Sequence, residues 1–148
     1  MNTTYTLNTW PSNKSNVWND LFMIGFDKLW NNTVTNTGFP YYNVAKIGED
    51  EFQVEIALAG FAAEDVEIQE HKSSLLITGN RNHAEEKKYL YKGISNRAFT
   101  RTFALAEHVH VTDARMENGM LMITLRREVP EDDKPKTIAI SNVKELIQ

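Results

Sequence analysis

The chain has no cysteine among its 148 residues. That excludes disulfides, a thiol nucleophile and thiolate-bound metal, and it suits a cytoplasmic setting. Positive charge is not in excess: 16 Lys and Arg stand against 20 Asp and Glu. The basic footprint of a nucleic-acid binder is therefore missing. No apolar run approaches a membrane span, so membrane association is not indicated. The opening "MNTTYTLNTWPSNK" lacks the basic and apolar regions of a signal peptide. There is no glycine-rich phosphate loop and no nucleophile elbow. His108 and His110 would project from one strand face, but no third ligand is evident nearby, and a solvated strand end is the simpler reading. No catalytic residue, metal site or cofactor is expected.

What is present falls into three zones. Residues 1–39 are rich in Asn and Thr and hold all three tryptophans, Trp10, Trp18 and Trp30. Within them "SNVWNDLFMIGFDKLW" spaces Trp18, Phe22, Phe26 and Leu29 three or four apart. The spacing predicts one face of a short helix capped by Ser15 or Asn16 and weakened by Gly25. An apolar helix on a polar leader usually seeks a partner surface.

Residues 40–130 read as strands. Phe52, Val54, Ile56 and Leu58 share one parity, as in a half-buried strand. Val66–Glu70 and Leu75–Thr78 form two more, joined by a hairpin loop expected to be long because no Asn-Gly lies between them. "KKYLYKGIS" reads as a short aromatic strand, "AFTRTFAL" as another, and "HVHVTDARM" and "MLMITLRRE" as a pair split by "ENG". Short strands with turn signals predict an all-β, immunoglobulin-like antiparallel sandwich. Arg101 shares parity with Phe99, Phe103 and Leu105. It is either an edge residue whose head reaches water or a paired ion at a subunit interface.

Residues 131–148 open with a charged, proline-punctuated linker and continue into Ile138, Ala139 and Ile140. Two isoleucines in alternation after such a linker have the form of a strand that adds to a sheet edge and fills two pockets. Each buried Ile is worth about 1.5–3 kcal/mol before ordering costs, which becomes effective when many tails act together. The alternative is a terminal strand that folds back on its own domain. "NVKELIQ" would close the chain with a single helical turn.

Taken together, "YYNVAKIGEDEFQVEIALAGF", "LLITG", "FTRTFAL" and "ARMENGMLMITL" resemble the α-crystallin domain of small heat shock proteins. Ala114, Asn118, Gly119 and Leu121 match its A-x-x-x-n-G-x-L signature. "GFDKLW", "YKGIS" and "REVPEDDKP" are similar to the bacterial class A, inclusion-body-associated group, and the Asn- and Thr-rich leader leaves room for a phage-encoded member.

The resemblance implies roles for particular residues. The Ile138–Ile140 tail would dock between the family's fourth and eighth strands on another subunit, here about Val66–Glu70 and Val111–Met116. Tyr89, Leu90 and Tyr91 would be exchanged between partners to make a dimer. Arg101 would support subunit contacts as a paired ion. Ala106 stands where many members have proline. The implied function is an ATP-independent holdase chaperone for unfolding client proteins. It would assemble through its tails into larger homo-oligomers and hand clients to ATP-driven chaperones. Trp10, Trp18, Phe22, Phe26 and Trp30 are the candidate client contacts. A monomeric co-chaperone or a structural β-sandwich is the alternative.

Overall fold

The computed structural model of the chain describes residues 14–26, 38–82 and 86–142. A helix, α1 (Lys14–Ile24), precedes seven strands: β1 (Tyr42–Lys46), β2 (Glu51–Ala57), β3 (Val66–His71), β4 (Ser74–Gly79), β5 (Phe99–Ala104), β6 (Val109–Glu117) and β7 (Met120–Arg127). They form two antiparallel sheets, one ordered β1-β2-β7-β6 and one ordered β3-β4-β5.

Side-chain parity explains the layering. Successive residues of a strand face opposite sides. Phe52, Val54 and Ile56 on β2 and Leu121, Ile123 and Leu125 on β7 are buried while the residues between them are not. Leu75 and Ile77 on β4, with Phe99 and Phe103 on β5, face them from the other sheet. The core lies between the two layers, as in other β-sandwiches.

Two hairpins set the registers. Asn118 and Gly119 both take positive φ, 52° and 76°, and turn β6 into β7 with Glu117 opposite Met120. Positive φ at both central residues is the geometry that Asn-Gly supplies most readily, because its twist matches that of the strands. The turn between β3 and β4 is shorter than expected. Only Lys72 and Ser73 separate the paired residues His71 and Ser74, with Lys72 held at φ 52°. The packing of Leu75 and Ile77 fixes that register despite the unfavourable turn residue.

The helix differs from its expected form. It begins at Lys14, so Ser15 and Asn16 lie inside it rather than capping it. It ends at Gly25, whose φ of 88° breaks the apolar face, and Leu29 lies outside the described residues. Phe22 is therefore 67% exposed, whereas Phe26 is 1% exposed and belongs to the core. The Phe26 ring stacks on Phe103 with centroids 5.1 Å apart. Ile24 is buried beside it and its carbonyl accepts a hydrogen bond from the Ala106 N–H at 3.0 Å. Asp20 and Lys46 form an ion pair at 2.9 Å between α1 and β1. Burial of Ile24 and Phe26 contributes about 1.5–3 kcal/mol each as an upper bound, more than a partly exposed ion pair supplies.

Gly79 stands opposite Phe99 in the β4–β5 ladder, and a Cβ there would lie 2.2 Å from the Phe99 ring. Gly79→Ala must push that ring off its rotamer or shift the backbone, at a cost of about 1–3 kcal/mol. A lower urea midpoint with an unchanged slope is the expected result, and an unchanged midpoint contradicts this packing.

Candidate interaction surfaces

The candidate histidines do not converge. His108 sits in the turn before β6 at φ 67°, with Nε2 3.4 Å from an Asp133 carboxylate oxygen. His110 lies on β6 and reaches Glu70. Among the described residues no three His, Asp or Glu side chains gather as a metal site would require. No helix among them is long and apolar enough to cross a membrane.

The edges of β3 and β6 lie side by side. Each is the edge strand of its own sheet. Val66 and Ile68 from β3, and Val111 and Met116 from β6, are half-buried against the core. Glu70 clasps the two edges together. One carboxylate oxygen lies 2.8 Å from His110 Nδ1, and the other accepts the Val111 N–H at 3.0 Å. Burial pushes the Glu70 carboxyl up, but the bonds from Val111 and His110 and the imidazole charge outweigh it and hold the group below its ordinary value. A bulge between Val111 and Asp113 follows directly, where β6 shifts register against β7.

The tail expected to add to such an edge pairs with neither strand. Ile138 is 85% exposed and Ile140 97%, and residues 134–142 join neither sheet. In the single chain the tail does not fold back as a strand of its own domain.

Tyr89, Leu90 and Tyr91 are not a strand here. Residues 86–98 carry no sheet pairing, and Leu90 is fully exposed, with Tyr91 and Ile94 also open to solvent. A strand needs a neighbouring edge for its backbone groups, and this segment pairs with none of the chain's own edges.

Arg101 is 5% exposed, so its head does not reach water. Its Nη2 donates to the carbonyls of Gly38 at 2.9 Å and Pro40 at 3.0 Å, and the guanidinium lies 5.2 Å from the Tyr42 ring centroid. Within the subunit these bonds tie the segment ahead of β1 to β5. The signature residues sit at the β6–β7 hairpin. Ala114 is opposite Ile123, Asn118 and Gly119 form the turn, and Leu121 is buried. Of the aromatic candidates, Phe22 is exposed and Phe26 is a core residue rather than a surface contact. Trp10, Trp30 and the side chain of Trp18 lie outside the described residues, as does "NVKELIQ" beyond Asn142. Two contacts were not read from sequence, the Glu70 clasp and the Ala106 bond to Ile24. Each joins residues far apart in the chain, and no local pattern marks either.

A folded-state carboxyl held below its unfolded value adds stability that is present above the unfolded pKa and lost as pH falls through the folded one. Glu70→Gln removes that contribution. The variant should be less stable than the wild type at neutral pH, with the gap closing as pH falls through the carboxylate range, around pH 4. Denaturation series across that range check this; a gap independent of pH contradicts the clasp.

Comparison with known proteins places the chain. Residues 44–141 match the model of the Hsp20/alpha crystallin family. The small heat shock protein IbpA of Pectobacterium carotovorum is 45% identical over 125 residues, covering 79% of this chain and 90% of the relative. HspE of Bradyrhizobium diazoefficiens, also a small heat shock protein, is 45% identical over 121 residues, covering 79% of this chain and 81% of its own length. Among solved structures, C-terminally truncated AgsA, a small heat shock protein of Salmonella typhimurium, superposes with a TM-score of 0.57 at 31% identity. That match covers 70% of this chain and all of that truncated chain. A small heat shock protein of Synechococcus phage S-ShM2 gives 0.55 at 30% identity, over 70% of this chain and all of the phage chain. The two-sheet fold, the Asn118-Gly119 hairpin and these relatives agree: the chain belongs to the Hsp20/alpha crystallin family of small heat shock chaperones.

Proposed function

We propose that this chain is an ATP-independent holdase, which binds unfolding proteins, keeps them from aggregating and leaves them refoldable by ATP-driven chaperones. The observation that carries the reading is an exposed Ile138–Ile140 tail on a domain whose edge strands β3 and β6 each leave one side unpaired and carry half-buried Val66, Ile68, Val111 and Met116. Donor and acceptor on one chain, not joined to each other, suit exchange between copies and growth into larger particles. The exposed segment around Tyr89, Leu90 and Tyr91 is the proposed dimer strand, completed by a partner's sheet edge. Arg101 then supports subunit contacts indirectly, by fixing the segment ahead of the edge strand β1. The cytoplasm is the proposed setting.

Client contact is assigned to Trp10, Trp18, Phe22 and Trp30, large aromatics on a polar leader that can meet many apolar surfaces without choosing a sequence. Phe26 leaves this set because the core holds it. The arm is better tested by substitution than by deleting residues 1–39, since deletion would also strip Ile24 and Phe26 from the core.

Light scattering of a heat-labile enzyme without ATP, with particle mass from multi-angle scattering, tests the reading. Suppressed scattering and a large particle are expected. A monomer that leaves aggregation unchanged would support a co-chaperone or structural module instead. Ile138→Ala with Ile140→Ala should collapse the particle toward dimers, and an unchanged mass would refute tail docking. Serine at positions 10, 18, 22 and 30 together should remove most protection while the β-sandwich keeps its circular dichroism. Full protection would move the client site onto the domain.

A further inference from the structure

Alternation puts Val66, Ile68 and Glu70 on one face of β3. The first two are half-buried and pack against the core. The third position holds a carboxylate where the pattern calls for an apolar side chain. From there Glu70 reaches β6, the edge strand of the other sheet.

The group it takes there is a particular one. In an antiparallel ladder the N–H and C=O of a residue point together, either toward the paired strand or away from it. Val111 stands opposite Leu125 of β7, yet its N–H goes to a Glu70 oxygen at 3.0 Å. It is therefore an outward-facing donor of the β6 edge. The carboxylate oxygen occupies the place that a carbonyl of an added strand would take. Val111 has one N–H to give, so Glu70 and an added strand exclude each other at this point. His110 Nδ1, 2.8 Å from the second oxygen, holds the carboxylate in position. Inward-pointing charges and bulges both keep a sheet edge from pairing indiscriminately. The β6 edge carries the two together, since its bulge lies between Val111 and Asp113. Both Glu70 and His110 keep contact with solvent, so a released carboxylate regains water instead of being left buried and unpaired.

We infer that Glu70 is a latch on the outer edge of β6, which occupies the Val111 N–H in the single chain and must release it before the Ile138–Ile140 tail of another copy can add there. His110 is a positioning residue that acts through Glu70. The inference rests on the tail-docking reading and adds the residue that opposes docking, so that assembly has a threshold set within each domain.

The probe is a fluorescein-labelled peptide of residues 134–142. The receptor is the full chain carrying Ile138→Ala and Ile140→Ala, whose own tail does not compete. Fluorescence polarisation gives the affinity. Glu70→Ala in the receptor should tighten peptide binding several-fold, and Glu70→Gln, which keeps the shape and loses the charge, should tighten it less. His110→Ala should act in the same direction and add nothing once position 70 is Ala. Affinity unchanged or weakened by Glu70→Ala overturns the latch and leaves tail docking standing. A peptide that binds none of the receptors refutes docking and latch together. Amide exchange locates the contact and checks the fold: the Val111 amide should exchange several-fold faster in the Glu70→Ala receptor and become protected on adding peptide, with β2 and β7 protected throughout. Fast exchange at Val111 under saturating peptide overturns the latch, because the tail would then leave that donor untouched.

Discussion

Open sheet edges are the constraint on which the rest of this molecule depends. Two sheets of four and three strands leave β1, β6, β3 and β5 each with one side unpaired. Such edges present rows of backbone donors and acceptors, and an isolated domain must blunt, cover or pair them. Here the solutions differ by edge. At the β3–β6 side, Glu70 occupies the Val111 N–H and bridges the two sheets. Near β1 and β5, Arg101 gathers the carbonyls of Gly38 and Pro40, so those backbone groups are satisfied inside the fold. What remains open is matched by segments of the same chain that lack an edge of their own, residues 86–98 and the Ile138–Ile140 tail. The proposed assembly follows from that mismatch.

The same economy governs the apolar surface. A protein that receives unfolding clients needs apolar groups within reach, yet exposed patches invite self-association. On the proposed reading the chain divides the task. Phe22 stays outside on α1, while Ile24 and Phe26 are buried in the sandwich. The charged linker that begins at Glu131 separates the tail from the domain and keeps its isoleucines in solvent.

The sandwich was legible because its pattern is local. Alternation in Phe52, Val54 and Ile56 marks a half-buried strand wherever it occurs, and Asn118-Gly119 supplies two positive φ values with almost no competing geometry. Lys72 gave no such signal, since a lysine enters the left-handed region only when flanking strands compel it. Phe26 misled for a related reason. Helical spacing placed it with Phe22, but Gly25 ends the helix between them and Phe103, remote in sequence, supplies the better environment. Tyr89–Tyr91 has strand composition and no strand, because composition does not supply the pairing edge a strand requires, and this segment pairs with none in the single chain. Arg101 and Glu70 find their partners about sixty and forty residues away, a juxtaposition that only the folded sheets create.

Amide hydrogen exchange as a function of protein concentration tests most directly whether the chain's unpaired segments are completed by other copies of itself. The account predicts that amides of residues 89–94 and of 138–140 exchange freely in dilute protein and become protected as concentration rises, while the interior strands β2 and β7 stay protected throughout. Free exchange of both segments at every concentration would contradict it, because the edges would then be left open in the working protein.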